Sequence, residues 1–173
     1  MTPIPRTVAA LATGAYRVAT ALDQDSTYDY RHLVLVDEEG EPVGLVGPDG
    51  PGPAVVLPAH TPVTDVLYSE EILDSLLDGA VGLVLVDADG RPAGVVPVEA
   101  IRTELAAEMA APHRMGDSDL TGRRTAFPPL VRLRCGVCRQ TNRFGRFRHT
   151  KTYRCQYGAH DFVATYGSSA GRS

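Results

Sequence analysis

The chain has 173 residues, 43% of them apolar and 22% charged, with three Cys, no Trp and a formal net charge of −4. That composition suits one globular domain of ordinary size, alone or with a small appendage, and excludes a disordered or fibrous chain. No apolar run nears the ~18 residues of a membrane-spanning helix, and an odd number of cysteines excludes a fully paired disulfide framework.

From the N-terminus, Val8, Leu11, Ala15, Val18 and Leu22 recur at helical spacing, which predicts a helix running through Gly14. The apolar stretch Val8 to Ala12 is broken by Thr13 and Gly14 and makes a poor signal peptide, so a cytoplasmic location is expected. Next comes Leu33-Val34-Leu35-Val36, then Asp37 to Gly40, then Pro42-Val43-Gly44-Leu45-Val46. The same pattern returns 50 positions later, from Leu83 to Val96, with Asp87 and Gly90 in the turn. Nine of the 14 aligned positions are identical, against about one expected by chance at ordinary residue frequencies. Each copy predicts a strand buried on both faces, a tight turn with Gly where φ is positive, and a second strand. Residues 47–53, Gly-Pro-Asp-Gly-Pro-Gly-Pro, cannot be helical. Val55 to Leu57 reads as a strand. Ser69 can cap a helix whose first turn holds Glu70 and Glu71 and whose apolar face is Ile72, Leu73, Leu76, Leu77 and Ala80. Val98, Ile101, Leu105 and Met109 predict a last helix that Pro112 ends.

The segment Asp65-Val66-Leu67, the helix over 69–80, the hairpin Val84 to Val96 and the helix after it resemble a cystathionine-β-synthase-type (CBS) domain. The similarity covers about 54–110, and reaches about 7–50 through the first hairpin and its preceding stripe. It implies a tandem of two αβ units over 1–111, the second at about 54–111 and the first incomplete, with association of two chains through these units. Members of that family that bind adenine nucleotides place Thr or Ser, then Asp three residues on, after the second strand. The matching positions here are Pro97 and Ala100, and Gly47 and Gly50. None offers a hydroxyl or carboxylate, so the resemblance implies a scaffold for dimerisation or docking ahead of a nucleotide sensor.

Composition changes near residue 120. Residues 1–120 hold six Arg against 20 acids, a balance of −14, while residues 121–173 hold ten Arg and Lys151 against Asp161 alone, +10. All four Phe and all three Cys follow the change. Residues 112–126 read as a linker, 127–168 as a second module and 169–173 as a disordered tail. So segregated a charge suggests modules with different partners.

In the basic module Cys135-Gly136-Val137-Cys138 is a C-x2-C pair, and Cys155 with His160 makes a C-x4-H pair. Three thiolates and an imidazole are a donor set for tetrahedral Zn²⁺ in a structural site; His149 is a rival fourth ligand, and His113 a weaker one. A module near 40 residues seldom folds on its own core, so a structural ion fits its size. With Val131-Arg132-Leu133, Thr152-Tyr153-Arg154 and Phe162 to Tyr166 as short strands, the segment resembles a zinc ribbon over roughly 129–166. The fold class expected is therefore α+β: a CBS-like αβ repeat plus a small β zinc ribbon.

Between the ligand pairs, Arg139, Arg143, Arg146, Arg148, Lys151 and Arg154 stand without an acid, interleaved with Phe144, Phe147 and Tyr153. Arg binds phosphate or carboxylate in bidentate fashion, and exposed rings can stack bases. This arm is therefore a candidate surface for a macromolecular partner, nucleic acid or protein; the alternatives are that the rings form the core and the Arg face the acidic half. No phosphate-binding loop, dinucleotide turn or nucleophile elbow occurs. The sequence points to a non-enzymatic regulatory or adaptor protein, with an adenine-nucleotide sensor or an accessory subunit of a larger complex as the other readings.

Overall fold

The runs Leu33–Val36 and Leu83–Val86 lie inside two separate sheets that pack on each other. The computed structural model describes residues 4–20, 31–110 and 130–166. The first sheet has the order β1 (Tyr16–Ala19), β2 (His32–Val36), β3 (Pro42–Gly47), β4 (Gly50–Gly52). The second holds β5 (Ala54–Pro58), β6 (Gly82–Val86) and β7 (Pro92–Pro97), and continues beyond β5 into β8 (Leu130–Cys135). The short β9 (Thr141–Phe144) and β10 (Ala164–Thr165) both pair with β8. Three helices, α1 (Val63–Leu67), α2 (Glu70–Leu77) and α3 (Val98–Ala110), complete a mixed α+β fold. The linker expected over 112–126 and the tail over 169–173 lie outside the described residues.

The repeat extends further in space than in sequence. β1 runs parallel to β2 with Arg17 opposite Leu33, as β5 runs parallel to β6 with Val55 opposite Leu83. Both hairpins change register at the same place, between Leu35 and Val36 and between Leu85 and Val86. Both turns are built alike. Asp37 Oδ1 accepts the amides of Glu39 and Glu41, and Asp87 Oδ1 those of Asp89 and Arg91, while Gly40 and Gly90 take φ of 82° and 77°. An aspartate that folds its own turn leaves the strand run free to be apolar on both faces. In β5 and β6, Ala54, Val56 and Val84 meet Val34, Val36 and Leu45 of the first sheet, and their neighbours Val55, Leu57, Leu83 and Leu85 meet the helices. Each such buried aliphatic side chain contributes roughly 1.5–3 kcal/mol.

The helix expected from Val8 to Leu22 does not form over the described residues. Val8–Leu11 is one 3₁₀ turn, and Tyr16–Ala19 is strand β1; Leu22 lies outside the described residues. Competing backbone bonds explain this. Val8 N donates to Thr61 O and Thr13 N to Val95 O, which draws the segment across two other elements. Gly14 in mid-helix would also cost about 1 kcal/mol, and a helical stripe would have buried Val18, which is exposed. The strand expected over Thr152 to Arg154 does not form either: Arg154 makes only a single bridge to Asp161, and the strand expected over Phe162 to Tyr166 is cut to Ala164–Thr165. The hairpins, the strand at Val55 to Leu57 and the last two helices form where expected. Ser69 Oγ caps α2 by accepting Ile72 N, although Leu77 and Met109 are exposed and stand apart from the apolar faces expected of α2 and α3. Residues 47–53 are strand and turn where the second unit has α3.

The basic segment is built into the sheet of the second unit. β8 pairs antiparallel with β5, Val55 opposite Val131. One core then holds Leu57, Leu83 and Ile101 together with Val131, Leu133, Cys135, Phe147, Cys155 and Phe162. The modules inferred from charge and composition thus share a sheet and a core.

Candidate metal centre

Two turns bring the four expected ligands together. Cys135 ends β8, and the chain reverses through Cys138 into β9, held by Arg139 N on Cys135 O and Cys135 N on Gln140 O. Arg139, just after the C-x2-C pair, completes this reversal with φ of 63°, in the left-handed region that non-glycine residues seldom adopt. The second turn is closed by Cys155 N on His160 O. A side chain at Gly158 would come within 2.7 Å of His160 Nδ1, so only glycine leaves the imidazole its place.

Cys135 Sγ lies 3.5 Å from His160 Nε2, and Cys138 Sγ 3.5 Å from Cys155 Sγ. All four donor atoms fall within 4.8 Å of one another. Ligands at about 2.0–2.3 Å from a tetrahedral ion are separated by about 3.5–3.8 Å, so the cluster needs only a small contraction to close on a metal. His149 is placed elsewhere: its Nε2 is 2.9 Å from the Tyr166 hydroxyl, and its backbone N–H donates to Asp78 Oδ2. His113 lies outside the described residues.

The electrostatics favour a cation. Burial pushes the Cys135 thiol up, but backbone groups of Val163, Cys138 and Val137 and the His160 ring outweigh it and bring it down to about 6. The backbone of Gln140 favours the Cys138 thiolate, yet burial and the neighbouring Cys155 and Cys135 sulfurs hold that thiol above its ordinary value. The first thiolate forms readily and opposes the next. A divalent ion at the centre relieves that repulsion and releases the remaining protons. Four protein donors leave no open position for water, which is the pattern of a structural site.

Asn142 supports the cluster and was not singled out from sequence. It is fully buried on β9; its Nδ2 donates to Gln140 O and reaches Cys155 Sγ at 3.5 Å, and its Oδ1 accepts Gln156 N at 2.7 Å. One amide thus ties both turns together. Gln156 in turn bonds the backbone N and O of Arg143, which occupies polar groups on the outer edge of β9.

The arm differs from its expected form. Phe144 and Phe147 are not a display surface: with Tyr153 and Phe162 they form a cluster whose centroids lie 5.0–5.9 Å apart. Phe147 and Phe162 belong to the core shared with Leu57, Leu83 and Ile101, and Phe144 and Tyr153 pack against it, so the rings turn inward. Arg146 and Arg148 both reach Asp74 of α2, at 3.0 and 3.1 Å. On β8, ahead of the first ligand pair, Arg134 meets Glu38 and Arg132 meets Asp37 and Glu41. Arg143, Lys151 and Arg154 are exposed and form no ion pair with a described residue, while Arg139 is exposed at the first turn.

Compared with protein families, curated proteins and solved structures, the chain matches none. Among the described residues no helix is long and apolar enough to cross a membrane.

Proposed function

We propose that this chain is a non-enzymatic regulatory or adaptor protein, in which a CBS-like αβ tandem is the scaffold and a zinc ribbon-like module presents a surface to a macromolecular partner. One observation carries the reading: four soft-to-borderline donors converge within 4.8 Å at the end of β8, a strand of the scaffold's own sheet. Cys3His is a donor set for Zn²⁺, and the ion would be held by Cys135, Cys138, Cys155 and His160. Bound there, it fixes the two turns from which the module's outer residues project. The CBS-like half of the reading is supported by the shared parallel pairing and shared register shift of the two units. Tyr68, Leu77 and Met109, exposed on the helical elements, support association of two chains through that half; light scattering measures it.

The test is metal analysis of protein purified without chelator. One Zn²⁺ per chain, lost in Cys138→Ser and Cys155→Ser, is the expected result. A folded wild-type chain that holds no metal, and takes up none from added Zn²⁺, would overturn the ribbon.

A further inference from the structure

Of the eight cations between residues 130 and 166, Arg132, Arg134, Arg146 and Arg148 are engaged by acids of the other half. Of the other four, Lys151 lies in the arm with its backbone N–H on Arg148 O, and Arg139, Arg143 and Arg154 lie beside the cysteine–histidine cluster. Arg143 stands on the edge of β9, and Arg154 opens the second turn two residues before Gln156, whose side chain is bonded to the Arg143 backbone. The two cations therefore flank one edge, with Arg139 exposed on the neighbouring turn. Asp161 is the sole acid of residues 130–166. On the same two turns Val137, Tyr157 and Val163 are 60%, 58% and 54% exposed, and Gly136 N on Val163 O holds the turns side by side.

We infer that this end of the molecule, with Arg143 and Arg154 for phosphates and Tyr157 as a stacking ring, is a docking surface for single-stranded nucleic acid. The inference rests on the proposed ribbon, whose ion fixes the two turns. Every nucleotide brings both an anion and a flat apolar face, which is the pairing this surface offers. A run of acidic residues would meet the cations and leave the ring and the valines unmatched. A duplex hides its base faces, and no helix lies among residues 130–166 to enter a groove. The platform is pinned by turn hydrogen bonds and by Gln156, so little ordering cost attends binding.

The test uses full-length, zinc-loaded protein and the fluorescence anisotropy of labelled 20-nucleotide oligo-uridine. Duplex DNA and a poly-glutamate peptide serve as competitors. Binding should fall as salt rises from 50 to 200 mM. Arg143→Ala/Arg154→Ala should lower the slope of log K against log salt by about 1.4, at about 0.7 per phosphate on a single strand. Tyr157→Ala should weaken binding about 5- to 150-fold at fixed salt and leave that slope unchanged. All three side chains are exposed, and circular dichroism and zinc content should match wild type. No binding by folded, zinc-loaded wild type at 0.1 mM overturns the inference and leaves the ribbon standing. Binding unaffected by either variant, or displaced equally by poly-glutamate, also overturns it. Binding by a folded chain without zinc would keep the surface and remove the ribbon.

Discussion

Arg132 is a buried charge, paired with buried Asp37, and replacing it should be costly. Its side chain is 6% exposed. It donates to Pro42 O at 2.9 Å, to Asp37 Oδ2 at 3.2 Å and to Glu41 Oε2 at 2.6 Å, which joins β8 to the first unit's turn. Arg132→Met keeps the aliphatic stem and removes the guanidinium. Removing one partner of a buried pair costs about 3–5 kcal/mol. Two features place this case at the lower end. Asp37 keeps two amide donors on Oδ1, and Glu41, 33% exposed, regains water. About 3 kcal/mol is expected, or a fall in Tm of roughly 6–12 °C for a chain of this size. Arg134→Ala is the control: Glu38 is 80% exposed, so that pair should contribute at most about 1 kcal/mol. The chain has no Trp, so urea unfolding is followed by far-UV circular dichroism at saturating zinc. Arg132→Met/Asp37→Asn should lose less than the sum of its single changes. An Arg132→Met loss below about 1 kcal/mol, no larger than that of Arg134→Ala, would refute the reasoning.

Two further outcomes follow from buried groups in the sheets. His32 is buried at the start of β2 with its Nδ1 lacking a hydrogen-bond partner among the described residues, and burial lowers its pKa below the ordinary 6.5 despite the opposing pull of Glu99. The unfolded chain therefore takes up the proton first, so stability is full above about 6.5 and is lost as pH falls below it, by at most ~1.4 kcal/mol per pH unit. His32→Gln should lose less stability than wild type between pH 7.5 and 5.5 in urea unfolding; identical losses would exclude a neutral buried imidazole. Gly82→Ala puts a Cβ against the Val96 carbonyl of the paired strand, and should destabilise by about 1–3 kcal/mol by thermal unfolding. An unchanged Tm would mean that β6 and β7 can separate there at no cost.

What the sequence discloses, and what it hides, follows from the range of each interaction. The hairpins were legible because their signals are local: an apolar run, an aspartate that accepts the amides of its own turn, and a glycine at positive φ. The convergence of Cys135, Cys138, Cys155 and His160 was legible because two short spacings each define one turn. The first strand was misread because Val8, Leu11, Ala15 and Val18 satisfy a helical period, while the bonds to Thr61 and Val95 that decide the matter are made by residues about 50 and 80 positions away. Phe144 and Phe147 looked like a display among cations, because nothing in sequence says which side of a short arm faces inward. Arg132 stands between Val131 and Leu133 and reads as the solvent side of a strand, and Asn142 stands between Thr141 and Arg143 in a polar arm. Their partners, the first unit's turn and the two turns of the cysteine–histidine cluster, exist only in the folded chain.

The segregation of charge along the chain is likewise resolved in space. A balance of −14 against +10 suggests two modules with different partners, but the contacts bring four arginines of the basic segment onto acids of the other half. These contacts differ in depth, and salt should separate them. Asp74 is shared by Arg146 and Arg148, all three of them a third or more exposed. Asp74→Asn should therefore cost no more than about 1 kcal/mol, and most of that should vanish between 50 and 500 mM salt, as the Debye length falls from about 14 to about 4 Å. The loss in Arg132→Met should persist across the same range, because the pair it breaks is shielded from ions. Equal salt sensitivity in urea unfolding would mean that both contacts are solvated and that sheet pairing and the common core alone hold the two halves together. A persistent loss at Arg132 with a screened loss at Asp74 would make the β8–turn contact the rigid joint and the arm on α2 the compliant one.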